Sequence, residues 1–152
     1  MKRVCMLGML VALLAGCDNG MPHTIPVHGQ VLFDGKPPPA AGTIYFTLAR
    51  DAGAGTMRPG IGDFDADGSF SVTSFEPGDG LLPGAYKLRV ECWATPPNME
   101  GKPVKSHVPA RYSDAQQNGM ELTVDSAASS YELKIHVDTQ NPENGKLEVT
   151  KE

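Results

Sequence analysis

Ala85-Tyr86-Lys87-Leu88-Arg89-Val90-Glu91-Cys92-Trp93 decides the fold class of this chain. Over eight consecutive positions Tyr86, Leu88, Val90 and Cys92 alternate with Lys87, Arg89, Glu91 and Trp93. Successive side chains of an extended strand point to opposite faces, so this spacing puts the apolar groups on one face and the charges on the other. A helix would scatter the four apolar positions around its cylinder; the stretch therefore reads as a half-buried β-strand.

The same period spreads outward on both sides. Upstream, Ile44, Phe46 and Leu48 alternate with Thr43, Tyr45 and Thr47, and Val27, Gly29, Val31 and Phe33 alternate with His28, Gln30 and Leu32. The first of these runs in chain order stops at Asp34-Gly35, a turn signal, and a stiff Lys36–Gly42 loop follows with three consecutive prolines. Asp51–Met57 is Gly- and Ala-rich and reads as a loop. A weak strand over about 59–64 and Ser69–Thr73 form a hairpin through Asp67-Gly68, whose glycine takes a positive φ without steric cost. Downstream, Ala94–Gly119 is Pro-rich without periodicity, and loops of that length are usually functional or disordered. Alternation returns at Met120, Leu122 and Val124, and again at Tyr131, Leu133, Ile135 and Val137 against Glu132, Lys134, His136 and Asp138. Lys146–Thr150, after Asn144-Gly145, is either an extra edge strand or part of a tail. Six to eight strands and no convincing helix predict an all-β domain, an antiparallel β-sandwich of about seven strands over an alternating core.

The start of the chain has a different character. Lys2 and Arg3 precede an uncharged apolar run from Val4 to Leu14. It is shorter than the roughly 20 residues of a membrane-spanning helix and fits the ~7–15 of a signal-peptide core. Leu14-Ala15-Gly16-Cys17 resembles the lipobox of bacterial lipoproteins, where small residues admit the peptidase next to the cysteine. The resemblance implies cleavage before Cys17, acylation (palmitate) of that cysteine, and stable anchoring by several acyl chains, each buried methylene contributing ~0.8 kcal/mol. Asp18 resembles an inner-membrane retention signal of some sorting systems, which leaves inner against outer membrane open. The expected organisation is a signal peptide over 1–16, the lipidated cysteine and a short tether over 17–25, the β-sandwich over 26–138, and a tail or edge strand over 139–152. The expected location is the cell membrane, with the domain facing the periplasm or the exterior. Fully extended, residues 18–25 reach only about 25 Å, so the domain would stay near its membrane.

Cleavage would remove 16 of 152 residues and leave 136, enough for one domain. Lys2 and Arg3 would go with the signal, taking the thirteen basic residues to eleven against eighteen acidic ones and the net charge from -5 to -7. Such a body disfavours nucleic acid, whose phosphates demand clustered Lys and Arg, and leaves the acyl group as the membrane contact. Cys5 would be discarded and Cys17 acylated. Cys92 alone would remain, so the mature chain would have no intramolecular disulfide, and its thiol reads as buried and inert.

Several turn-and-strand signatures converge: Gly29-Gln30-Val31-Leu32-Phe33-Asp34-Gly35-Lys36-Pro37, Ala41-Gly42-Thr43-Ile44-Tyr45-Phe46, Asp65-Ala66-Asp67-Gly68-Ser69-Phe70 and Leu82-Pro83-Gly84-Ala85-Tyr86-Lys87-Leu88. Together with Val108–Asp114 and Leu122-Thr123-Val124 they resemble the carboxypeptidase-regulatory-like or transthyretin-like (prealbumin-like) domains of small bacterial lipoproteins, across most of residues 27–138. The resemblance implies a compact accessory, adhesive or scaffolding domain, with Tyr86 packing or hydrogen-bonding at one end of the sandwich. The hormone site of transthyretin has no residue-by-residue counterpart here.

Candidate sites are few. Asp63, Asp65 and Asp67 with Gly68 mimic the start of a calcium loop, but Ser74 stands where the bidentate glutamate belongs. His23, His28, His107 and His136 have no zinc-like spacing, and no serine sits in a nucleophile elbow. No cofactor or catalytic residue is expected. The stretch Trp93–Tyr112 is the candidate contact surface: Trp93 lies opposite the core face, and Lys102, Lys105, His107, Arg111 and Tyr112 follow in a basic interval, a composition favoured at recognition sites. The expected function is a membrane-anchored noncatalytic envelope lipoprotein, a binding or structural module contacting another envelope protein or a wall polymer. The alternatives are a small-ligand carrier of transthyretin type and a hydrolytic enzyme. The Asp63–Gly68 turn is expected to hold its shape without metal: millimolar calcium should leave the melting temperature of the domain unchanged, and a rise of several degrees would establish a calcium loop.

Overall fold

A computed structural model describes residues 22–49 and 58–152. Cys17 and the signal segment lie outside the described residues, as does the expected Asp51–Met57 loop. Each alternating run forms a strand. They are β1 (Val27–Phe33), β2 (Gly42–Leu48), β3 (Gly60–Phe64), β4 (Ser69–Thr73), β5 (Gly84–Glu91), β6 (Trp93–Thr95), β7 (Lys105–Ser106), β8 (Glu121–Val124), β9 (Tyr131–Val137) and β10 (Lys146–Lys151). Eight of them make one hydrogen-bonded sheet in the order β10-β9-β1-β4-β3-β2-β5-β8, and β6 pairs with β7 alone.

Tyr86, Leu88 and Val90 of β5 are fully buried, and they share a single apolar cluster with residues of every other strand of the large sheet. Eight strands whose inner faces meet in one core must curl, and the sheet closes into a near-barrel filled by Ile44, Phe46, Phe64, Leu133 and Ile135. Tyr86 donates its hydroxyl to the Leu82 carbonyl at 2.9 Å, four residues upstream, which fixes the corner leading into β5.

Three expectations are corrected. The strands form one eight-stranded curled sheet instead of two antiparallel ones, and β1 runs parallel to β9 over seven residue pairs, Val27↔Tyr131 to Phe33↔Val137. Alternation is the same for parallel and antiparallel neighbours, so the pattern is silent on this point. The Ala85–Trp93 alternation outruns its strand: β2 gives Glu91 its last partner at Thr43, and beyond it the chain turns so that Trp93 pairs with Ser106. Ala94–Gly119 is not free of regular structure. It holds the rest of β6, β7 and a 3-10 turn at Ala110–Ser113, elements too short to show a period.

The barrel has a seam between its two edge strands, β10 and β8, and side chains stitch it at both ends. At one end Tyr112, fully buried, donates to the Asp138 carbonyl at 3.3 Å and accepts from the Asp138 amide at 3.0 Å, while Arg111 pairs with Glu143 at 3.1 Å. Asn118, also buried, donates to the Leu88 carbonyl at 2.7 Å and ties the same segment to β5. At the other end Lys151 pairs with Asp125 at 2.7 Å, and the Asp125 amide donates to the Tyr131 hydroxyl at 2.9 Å. Gly145 passes so close to Tyr112 that a Cβ would overlap its ring.

These contacts orient the domain. Buried Ile25 exchanges two backbone hydrogen bonds with Leu81, so the chain enters at the end where β1 begins. The registers place Thr43, Phe64 and Glu91 together toward the far end. Tyr112→Phe, which removes the hydroxyl paired with the part-buried backbone of Asp138, is expected to lower unfolding stability by ~0.5–1.5 kcal/mol in urea titration. Gly145→Ala should cost at least as much, because the ring it would displace is held by its hydroxyl.

Candidate functional site

The outward face of β3, β2 and β5 carries side chains that a solvent face does not ordinarily hold. Register sets Ile61 beside Tyr45 and Tyr45 beside Arg89, and in the next row Asp63 beside Thr43 and Thr43 beside Glu91. The Arg89 guanidinium lies 3.8 Å from the Tyr45 ring centroid, a cation–π stack, and pairs with the Glu91 carboxylate. Glu91 in turn accepts from the Trp93 indole N–H at 3.4 Å, and the Thr43 hydroxyl donates to Asp63 at 2.8 Å. Ile61 is 45% exposed. Side chains held by one another before any partner arrives lose less freedom on binding, and Trp, Tyr and Arg are the residues that carry most interface energy.

Two depressions flank this row and share Asp63. One, of about 480 Å³, is lined by Ile61, Asp63, Ser71, Thr73, Pro77 and Gly78. The other, of about 390 Å³, is lined by Ala41, Gly42, Thr43, Asp63, Phe64, Asp65, Trp93 and Pro96. A third hollow of about 410 Å³ at the far end is lined by Phe33, Asp34, Lys36, Pro37, Pro39, His107 and Thr139.

The β6–β7 ribbon brings the backbones of Trp93, Lys105 and His107 close together, but the six residues of the expected contact stretch do not share one surface. Trp93 stands at the end of the Tyr45–Arg89–Glu91 row, whereas His107 faces the far-end hollow. Lys102 is exposed and pairs with Glu100 at 2.5 Å, and Lys105 is exposed on β7. Arg111 belongs to the seam. Tyr112 is a correction: it is fully buried, so it holds the barrel shut instead of meeting a partner.

The aspartates disperse as well. Asp63 points outward from β3, and Asp67 caps the Ser69 amide at 2.9 Å. The Asp65 carbonyl accepts from Gly68, whose φ is +87°. Among the described residues no three His, Cys, Asp or Glu side chains form a group able to hold a metal. His28 lies opposite Glu132 and His136 opposite Leu32, four residues farther along the same strand pair, and His136 Nε2 lies 3.5 Å from Glu148. The Cys92 thiol is fully buried, 3.3 Å from the Ala40 carbonyl, and burial pushes its pKa up, so little thiolate forms to act as nucleophile. Among the described residues no helix is long and apolar enough to cross a membrane.

Tyr45, Ile61 and Arg89 are the site residues that sequence reasoning missed. Their signal was present: Tyr45 occupies the outward parity of its strand, where a polar residue is the rule, and Ile61 does so in a strand whose parity was too weak to assign.

No protein-family model matches the chain, nor does any curated protein or solved structure. The domain stands as an all-β fold with a nearly closed eight-strand barrel, compatible with transthyretin-like and carboxypeptidase-regulatory-like folds in general.

The far-end hollow generates a pH prediction. Asp34, at φ +51° in the turn after β1, accepts from the Thr139 hydroxyl at 2.5 Å and the Thr139 amide at 2.8 Å. These bonds hold its carboxyl below the ordinary 3.8. The unfolded chain then takes up this proton at a higher pH than the folded one, so the stabilisation is complete above 3.8 and is lost as pH falls through the lower folded value. Asp34→Asn should melt earlier than the wild type at neutral pH, and its melting temperature should fall less on acidification to about pH 3. Parallel acid curves for the two proteins would show that this carboxylate does not contribute.

Proposed function

We propose that this chain is a noncatalytic envelope lipoprotein, anchored by lipid on Cys17, whose transthyretin-like domain is an accessory module contacting another envelope protein or a wall polymer. The observation that carries the reading is the preorganised Ile61–Tyr45–Arg89 row with Glu91 and Trp93 on an outward sheet face. Leu14-Ala15-Gly16-Cys17 supports the anchor, and buried Ile25 supports a tether that ends where β1 begins, with Trp93 toward the opposite end. The barrel interior is filled by large side chains, which favours surface contact over the small-ligand carrier. The polar groups of the outward row are spent on one another, Arg89 on Glu91 and Thr43 on Asp63, an arrangement suited to holding a shape more than to moving protons.

Two measurements test this. Expressed in bacteria, the full chain should incorporate labelled fatty acid and sediment with membranes, and Cys17→Ser should lose the label and move to the soluble fraction. A Cys17→Ser protein that still sediments after a high-salt wash would overturn the lipid anchor. For the contact surface, a photo-cross-linking residue at Ile61 should give a discrete adduct in intact cells, and one at Glu132, on the opposite wall, should not; identical patterns would remove the outward row from the proposal.

A further inference from the structure

We infer that the depression beside Trp93 is a docking groove for a basic, extended peptide segment of a partner protein. The inference deepens the accessory-module reading by naming the surface and the chemistry it takes. Its apolar lining comes from Ala41, Trp93 and Pro96 above the buried Phe64, and Asp63 and Asp65 stand at its rim. Among the described residues neither carboxylate has a salt-bridge partner. The nearest cation of the outward row, Arg89, is already held by Glu91 and stacked on Tyr45.

Two carboxylates without an ion-pair partner among the described residues, beside an indole, attract an ammonium or guanidinium twice over, by Coulomb attraction and by the ring face, while the aliphatic stem of such a side chain lies along the apolar wall. The groove is set in advance. Thr43 holds the Asp63 carboxylate at 2.8 Å and Glu91 holds the indole at 3.4 Å, so a ligand need not order them. An uncharged glycan would leave the carboxylates without counter-charge, and a nucleic acid or acidic lipid surface would be repelled. The groove also lies toward the end remote from Ile25, open to a partner approaching from the side opposite the chain's entry.

Trp93 is the only tryptophan of the chain, so its fluorescence reports on this groove without a label. The full chain in nonionic detergent would be titrated with three probes: an octapeptide alternating lysine and proline, the same peptide with glutamate for lysine, and an N-acetylglucosamine hexamer. The lysine peptide should change the emission saturably, and the change should weaken steeply as salt rises, since exposed charges are screened within about 10 Å at 0.1 M. Asp63→Asn/Asp65→Asn should bind it about tenfold or more weakly with an unchanged melting curve. Glu76→Gln/Glu132→Gln, which removes the same charge elsewhere, should bind as the wild type does. The inference is overturned if no probe saturates, if the glycan or the glutamate peptide saturates instead, or if both double variants lose affinity equally. Because fluorescence in detergent does not depend on acylation, these outcomes are separate from the fate of the Cys17 anchor.

Discussion

The hydrogen bonds between Tyr112 and Asp138 are the constraint on which the rest of the structure depends. A curled sheet of eight strands that stops short of closure has two edges, β10 and β8, whose backbone groups and core flank would otherwise face water. The Ala110–Ser113 turn sits against β5 and sends a buried aromatic ring to the opposite edge, where its hydroxyl both gives to and takes from one residue's backbone. The Asp125–Lys151 pair does the corresponding task at the other end, on the surface, where an ion pair contributes little by itself. The two stitches differ in kind: one is packing with satisfied polar atoms, the other mainly a matter of alignment.

Closure also explains why the candidate surface is where it is. β4 and β3 lie farthest from the seam, and they, β2 and β5 are each paired on both sides, so that they form a continuous wall. Side chains on that wall are positioned by ladder registers and not by loops, which is what allows Tyr45, Arg89 and Glu91 to be held by one another. Trp93 joins them only because β5 runs out of partner at Glu91 and the chain redirects into β6.

How much of this was readable from the residues divides along physical lines. Inside and outside were legible, because a period of two is a local property: the buried faces of β1, β2, β5 and β9 are those the alternation assigned. Neighbour relations were not, because β1 and β9 are about a hundred residues apart and nothing in either run names the other. The candidate surface suffered from the same limit. Trp93, Lys102, His107 and Arg111 are close in sequence yet point to separate parts of the barrel, while Ile61, Tyr45 and Arg89, distant in sequence, stand in one row. Tyr112 was misread for a subtler reason: a tyrosine next to an arginine in a polar stretch has the composition of an interface, and only its burial and the carbonyl and amide of Asp138 reveal that its partner is internal.

The parallel β1–β9 ladder has a kinetic meaning. Its seven pairs join the first strand of the domain to one near its end, and β10 then docks on β9. Most of the loop-closure entropy in the domain must be overcome before that ladder forms, which places this barrel among slow-folding topologies rich in distant contacts. A chain delivered from its N-terminus could pair one edge of β1 with β4 but would hold the other edge open until β9 emerges. The central hairpins β2–β3 and β3–β4 can form early and β1 can join β4, but the barrel becomes a barrel only at the last step, and until then the β9-facing edge of the first strand is the part of the molecule most exposed to mispairing.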